Sequence, residues 1–126
     1  MSCTISPEKI ASSLSELWSP RVIAEVDNVY VKVARIHGIF GWHGHENEDE
    51  LFLVLNGHLR IEMETQSVEL GQGELYIVSK GVRHNPVAEN ECLVMLVEQK
   101  STLHTGNEIS EKTRSLAEQL RPLQCN

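Results

Sequence analysis

Apolar and polar residues alternate over short distances through the centre of the chain, as they do in β-strands. Valine and isoleucine supply most of the apolar positions in residues 22–36, and residues 58–64 alternate strictly between an apolar and a polar face. Alternation of this kind, with many β-branched residues, is typical of strands. Asn56-Gly57, between two apolar runs, predicts a tight hairpin. Many short strands separated by turns predict an all-β barrel or double-sheet jelly roll over about residues 22–98.

A short helix is predicted on each side of this central region. Residues 6–8 provide a serine cap, a proline at the first helical position and an acid in the first turn, and apolar residues follow at helical spacing over about residues 7–18. A second capped helix is predicted over about residues 110–121, ending before Pro122. A chain of 126 residues suits one domain with its own core, so we expect a single domain spanning residues 1–126.

The run of apolar residues that follows Glu50 has two apolar faces. Because side chains alternate along a strand, the face that carries Glu50 also carries Phe52 and Val54. The opposite face carries three leucines: Leu51, Leu53 and Leu55. An apolar outer face needs cover from a second sheet or a second subunit, and this predicts a homodimer.

Composition and charge exclude several classes of partner. The net charge of −7 leaves no basic stripe that could follow phosphates, so we expect no nucleic-acid partner. The scattered lysines and arginines predict no membrane partner either. The chain has no basic leader followed by an apolar stretch and no apolar run that could span a bilayer, which predicts a cytoplasmic protein. In that compartment Cys3, Cys92 and Cys125 are expected to be reduced.

Four side chains in two segments have the pattern of metal ligands. His43 and His45 are two residues apart, so both leave the same face of an extended strand. A polar turn leads to Glu50, which returns beside them if the apolar run after it pairs antiparallel with that strand, and His84 follows glycine turns in a separate segment. One such histidine is more often structural, but together they predict a divalent transition metal (Fe, Mn, Ni, Co, Cu or Zn). Four ligands around an octahedral ion leave two positions for other groups.

The same two segments resemble the paired motifs of the cupin superfamily. Residues 43–57 read H-x-H-x4-E-x6-G, and residues 73–84 read G-x5-S-x-G-x2-H. The likeness is to a small single-domain cupin and covers about residues 38–97. It implies a double-stranded β-helix, which is the jelly-roll barrel of that family, and a metal bound by the four residues named above. Because cupins include isomerases, dioxygenases, decarboxylases, sugar-binding regulators and storage proteins, the resemblance implies a fold and a metal more firmly than a reaction.

Three functions stay open, and no catalytic residue is assigned. The first is a metal-dependent isomerase or epimerase acting on a small oxygen-rich molecule, such as a sugar derivative or a hydroxy or keto acid. The second is an Fe(II)-type dioxygenase in which substrate and O2 fill the open positions. The third is a module that binds a metal or small ligand without catalysis. An oxygenase needs O2 and a redox-active metal, an isomerase needs neither, and a module binds its ligand without turnover.

Other polar residues are weaker candidates for this site. His104 lies in a polar connector that could fold over the barrel mouth, and the acidic turn at residues 46–49 could orient a ligand imidazole. Three further residues are candidate substrate contacts, although a packing or surface role is favoured for each: Arg60, Tyr76 and Arg83. His37 and His58 are expected either on the surface or beside the ligands without binding the metal.

Overall fold

The computed structural model describes residues 3–106 and 109–123, which contain seven strands and two short helices. The helices are α1 (Pro7–Ser13) and α2 (Leu116–Gln119). The strands are β1 (Arg21–Val26), β2 (Val29–Ile39), β3 (Glu50–Asn56), β4 (Leu59–Met63), β5 (Ser67–Leu70), β6 (Leu75–Val78) and β7 (His84–Gln99).

The long strand β7 connects the parts of the sheet. The strand order is β1-β2-β7-β3-β6, and β4 pairs with both β5 and β7. The first part of β7 pairs antiparallel with β4 and with the end of β2, and its second part runs antiparallel between β2 and β3. The sheet therefore curls around a common core, and the prediction of an all-β jelly roll is confirmed.

The core consists of the inward-facing residues of β2 to β7. Val54, Leu59 and Ile61 have no exposed surface, and burying one such aliphatic side chain contributes roughly 1.5–3 kcal/mol. Strand β3 shows the predicted alternation, because Phe52 and Val54 are buried with Glu50 while the three leucines of the other face are half-buried.

Helix α1 is shorter than the predicted helix and covers part of the outer face of the sheet. The residues that it buries beside Val33 of β2 are Ile10, Ala11 and Leu14. The helix ends at Ser13, and the guanidinium of Arg35 accounts for this because it donates to the carbonyl oxygens of residues 12 and 14. The chain then runs extended, and Leu17 forms a bridge with Arg35 where the sequence predicted helix.

Helix α2 begins at Leu116 rather than near residue 110. Ser115 caps it through a capping box, in which the Ser115 and Glu118 side chains each accept a hydrogen bond from the other residue's backbone N–H. The preceding residues form turns instead of helix, and the backbone N–H of Ser110 donates to Thr113 Oγ1 at 2.9 Å.

The hairpin predicted at Asn56-Gly57 is wrong. In the described residues β3 and β4 do not pair with each other, and each pairs with β7 instead. Gly57 has a φ of +100°, and a Cβ added there would lie 3.0 Å from the carbonyl oxygen of Glu91. Glycine thus allows a close crossing over β7, so the dipeptide marks a left-handed turn but not the pairing of its flanking strands.

No helix within residues 3–106 or 109–123 is long and apolar enough to cross a membrane. Cys92 is a buried free thiol, whereas Cys3 is disulfide-bonded. The expectation of reduced cysteines therefore holds for Cys92 and is wrong for Cys3, and Cys125 lies outside the described residues. The cytoplasmic location stays a prediction.

Candidate metal centre

The four side chains predicted as metal ligands lie together inside the barrel. One potential ligand atom from each of His43, His45, Glu50 and His84 lies within 4.8 Å of all the others. Each residue is at most 5% exposed. Three imidazoles and a carboxylate buried at one point are a ligand set for a divalent transition metal.

Two different strand pairings bring these residues together. His43 lies between β2 and β3, and it exchanges two backbone hydrogen bonds with His84, the first residue of β7, at 3.0 and 2.8 Å. Glu50 is the first residue of β3, where it lies opposite Val78 of β6 and Glu98 of β7. Glu50 therefore reaches the histidines through β6 and β7, and the predicted pairing of its strand with the histidine segment is wrong.

Backbone carbonyls set the orientation of two of the rings. The Nδ1–H of His43 donates to Gly41 O at 3.1 Å, and that of His84 donates to Val82 O at 3.0 Å. Because a neutral imidazole carries one proton, Nε2 of each ring is left with a free lone pair, as a metal ligand requires.

The unpaired atoms at the centre fit a cation. Nε2 of His45 is buried and makes no hydrogen bond within the described residues. It lies 3.4 Å from Glu50 Oε1, and Nε2 of His84 lies 3.2 Å from the same oxygen. Lone pairs that face one another in a buried site are costly unless a proton or a metal ion lies between them.

The buried charges shift the pKa values of this cluster in opposite directions. Burial, together with the neighbouring His84, lowers the pKa of His43 to about 4. Burial alone would raise the pKa of Glu50, but the close approach of the His45 and His84 rings outweighs it and holds that pKa well below its usual value.

A second buried acid lies beside the cluster. Burial and the charge of Glu50 raise the pKa of Glu98 well above its usual value. Lys32 Nζ lies 2.6 Å from Glu98 Oε1 and opposes this rise without cancelling it. Lys32 also donates to Gln119 Oε1 at 2.5 Å, which ties α2 to the interior of the barrel.

A partly open cavity of about 40 Å³ lies beside this centre. His43 and Glu50 form one end of it. The remaining walls are mostly apolar and come from β2, β3, β7 and the segments before β1 and after β2; they include Trp18, Ile36, Phe40, Phe52, Val94 and Leu96. Sequence reasoning missed Trp18 and Phe40, and it left Phe52 as a core residue rather than a cavity wall.

The connector after β7 closes one side of the cavity. The ring of His104 lies 5.4 Å from that of Phe40, and its Nδ1 accepts a hydrogen bond from the backbone N–H of Arg114 at 2.9 Å. Burial and the charge of Lys32 lower the pKa of His104 to about 4, so its ring is neutral at pH 7 with the proton on Nε2. The connector is therefore folded over the barrel as the sequence suggested.

Several candidates from the sequence lie away from the cavity. His37 and His58 are exposed, as expected, and His58 pairs with Glu69 at 3.1 Å. Arg60 pairs with Glu62 and Glu89. In the acidic turn, Glu48 accepts a hydrogen bond from the Ser101 hydroxyl, and Asp49 accepts one from the backbone N–H of Lys80. These two contacts order the turn itself rather than a ligand imidazole.

The fold and the motif pattern together define a cupin, and the chain belongs to that family, because the family model for the cupin domain (Cupin_2) matches residues 30–98. The uncharacterized protein YdbB of Bacillus subtilis (strain 168) is 30% identical over 92 residues, which are 72% of this chain and 81% of YdbB.

Two solved structures are also similar. A cupin-2 domain containing protein from Shewanella frigidimarina NCIMB 400 has a TM-score of 0.74 and 40% identity, covering 76% of this chain and 94% of that one. Protein NMB1881 from Neisseria meningitidis has a TM-score of 0.71 and 26% identity, covering 77% and 99%. These relatives agree with a small single cupin domain.

Proposed function

We propose that this chain is a metal-dependent enzyme acting on a small molecule bound inside the barrel. The observation that supports this most directly is the convergence of four buried side chains with metal-ligand chemistry at the end of a mostly apolar cavity. His43, His45, Glu50 and His84 would hold a divalent transition metal, and the donor set suits Fe, Mn, Ni, Co, Cu or Zn.

When bound, the metal would supply Lewis acidity toward substrate oxygens and, if it is redox-active, electrons for chemistry with O2. The chain holds the donor atoms in place, because Gly41 O and Val82 O fix the rings of His43 and His84. The apolar walls offer water few hydrogen-bond partners, and an electrostatic interaction is stronger where less water surrounds it.

Oxygen-dependent chemistry is better supported by the cavity than isomerisation. Isomerisation needs a base that removes a proton beside the substrate oxygens. Apart from the ligands His43 and Glu50, the titratable side chain on the described cavity wall is His104, and its Nδ1 already accepts the Arg114 N–H. Apolar walls suit O2 and a non-polar substrate. We therefore propose a dioxygenase first and an isomerase or epimerase, with His104 Nε2–H donating to a substrate oxygen, as the second candidate.

Oxygen uptake by matched metal forms separates the candidates. Protein loaded with Fe²⁺ and protein loaded with Zn²⁺ would be incubated, with and without air, with small keto acids, diketones and phenols. A dioxygenase consumes O2 in proportion to substrate only in the Fe²⁺ form.

An isomerase would instead convert one compound at the same rate in the Zn²⁺ form as in the Fe²⁺ form, and at the same rate without air as with it. Tight binding of a compound that neither form converts would identify a non-catalytic binding module. His58→Ala, on the exposed surface, serves as the control variant and should behave as the parent protein.

We also propose that two copies pair through the outer face of β3 and β6. Helix α1 covers the end of this face near Leu55. Beyond it, Leu75 and Ile77 of β6 are 54% and 49% exposed, opposite the half-buried Leu53 and Leu51 of β3. Strand β6 pairs only with β3 among the described strands, so this apolar face continues to the edge of the sheet.

A further inference from the structure

The cavity beside the metal centre offers a ligand almost no polar contact away from its metal end. Five wall residues from β2, β3 and β7 are at most 8% exposed, and each presents only hydrocarbon: Ala34, Ile36, Phe52, Val94 and Leu96. Aliphatic and aromatic walls of this kind select apolar ligand atoms.

Trp18 closes the cavity without adding a polar group to it. Its Nε1–H donates to His37 O at 2.9 Å, and its ring lies 4.8 Å from that of Phe40. The residue has a φ of +56°, which is a strained backbone conformation for a bulky side chain. Packing around the ring and the backbone bond from Trp18 N to Arg35 O hold it in this conformation.

The polar groups of the wall are His43, Glu50 and His104. A ligand oxygen directed at one of these three groups or at the metal has a polar partner. A hydroxyl elsewhere on the ligand would be buried without a partner, which should weaken binding about tenfold.

A sugar ring carries several hydroxyls, and the apolar part of this wall could satisfy none of them.

We infer that the ligand of this centre is a small molecule with an oxygen-containing head that binds the metal and a non-polar body that lies against the apolar wall. This replaces the sugar derivative suggested by the sequence with an acid or ketone that carries a hydrocarbon chain. The inference rests on the proposed function, because it assumes that a bound metal leaves a position open toward the cavity.

Short carboxylates test the inference on Co²⁺-loaded protein, since the visible spectrum of Co²⁺ reports a new ligand. Acetate, propanoate and butanoate would be titrated in turn. Affinity should rise about fourfold for each added methylene that enters the cavity. 3-Hydroxypropanoate has as many heavy atoms as butanoate and should bind about tenfold more weakly, because its hydroxyl finds no partner.

A variant that fills the cavity provides a second measurement. Ala34→Val adds two methyl groups to the wall. It should remove the rise in affinity from acetate to butanoate, while its affinity for acetate stays within about twofold of that of the parent protein. Ala24→Val, on β1 and outside the cavity, is the matched control and should keep the full gain. If Ala34→Val does not fold, the relative affinity of the parent protein for butanoate and 3-hydroxypropanoate still tests the inference.

Failure of the inference and failure of the proposed function are distinguishable. If acetate binds but chain length and the hydroxyl have no effect, the ligand class is wrong and the metal site stands. If no carboxylate changes the Co²⁺ spectrum of a fully loaded protein, the open position is absent, and the inference is overturned together with the proposed function.

Discussion

Two backbone carbonyls determine which nitrogen of His43 and of His84 faces the metal centre. Each carbonyl accepts the Nδ1–H of its ring. The Nε2 atom of each neutral ring is therefore already unprotonated, and it could bind a metal without a change of tautomer. His45 differs because its Nε2 is buried without a hydrogen bond among the described residues. The protein therefore keeps an unsatisfied polar atom at the centre, and a bound metal would satisfy it.

We expect His45→Ala to lose the metal while it keeps the fold. Removal of a direct ligand should lower affinity by more than the roughly 10–100-fold that loss of an outer-shell partner costs. The free energy of unfolding without metal should change little, because the lost packing is offset by removal of a buried unpaired nitrogen, worth about 1–3 kcal/mol. Metal analysis and denaturant unfolding measure both effects. Unchanged metal stoichiometry, with His58→Ala as control, would contradict the assignment.

The metal-free protein should lose stability as the pH falls from about 6.5 to 4. The pKa values of His43 and His104 lie near 4, below the ~6.5 of an unfolded chain, so the unfolded state binds more protons in this window. Glu98 acts in the opposite direction, because its raised pKa favours the folded state on acidification. It is one group, whereas two groups, His43 and His104, favour the unfolded state.

Denaturant unfolding at pH 7 and pH 4.5 in the presence of a chelator checks this expectation. His104→Gln should reduce the dependence on pH, whereas His37→Gln, at an exposed position, should leave it unchanged. His104 is surrounded by Lys32, Arg114, Glu50 and His43, and none of these is altered by the substitution. An identical pH dependence in all three proteins would show that His104 does not titrate as described.

The connector between β7 and α2 packs directly on the loop that carries two of the candidate ligands. Gly106 has a φ of +63°, and a Cβ added to it would lie 2.0 Å from the carbonyl oxygen of Gly44, which lies between His43 and His45. A side chain at position 106 therefore displaces either the connector or the ligand loop.

We expect Gly106→Ala to speed the release of metal to a chelator and to lower the melting temperature. Gly73→Ala is the matched control, since Gly73 has a similar φ of +81° but nothing within 4 Å of an added Cβ. Both substitutions carry the cost of a left-handed alanine, about 1 kcal/mol. The difference in metal-release rate between the two variants isolates the contact with Gly44. Equal release rates would show that the connector does not affect how tightly the centre holds a metal.

The sequence predicted the four clustered side chains but not their surroundings. Motif spacing was sufficient for His43, His45, Glu50 and His84 because it reflects turns and strand parity, which are local. The partner of β3 was predicted wrongly because an apolar pattern specifies which face is buried and not which strand lies beside it. Trp18 and Phe40 meet at the cavity from different parts of the chain, and nothing local in the sequence marks such a contact.

At the scale of the whole molecule, the outer face of β3 and β6 is the surface that we expect to associate. Ile77→Lys, at a residue that is 49% exposed on β6, should convert a dimer into a monomer, because pairing would bury an unpaired charge. Val26→Lys, at a residue that is 59% exposed at the end of β1, is the control and should remain dimeric. Analytical ultracentrifugation measures the oligomeric state of both variants. A parent protein that is monomeric at all concentrations would contradict the pairing.

Strand β7 contributes His84 at its first residue, where it pairs with β4, and it lies against Glu50 near its other end. An ion held by both residues would clamp two regions of the barrel that are far apart along the chain. Amide protons of β4 and of β3 should then exchange with solvent more slowly, and to a similar degree, once the ion is added. Occupancy of the centre would in that case set the lifetime of the folded chain as well as its chemistry.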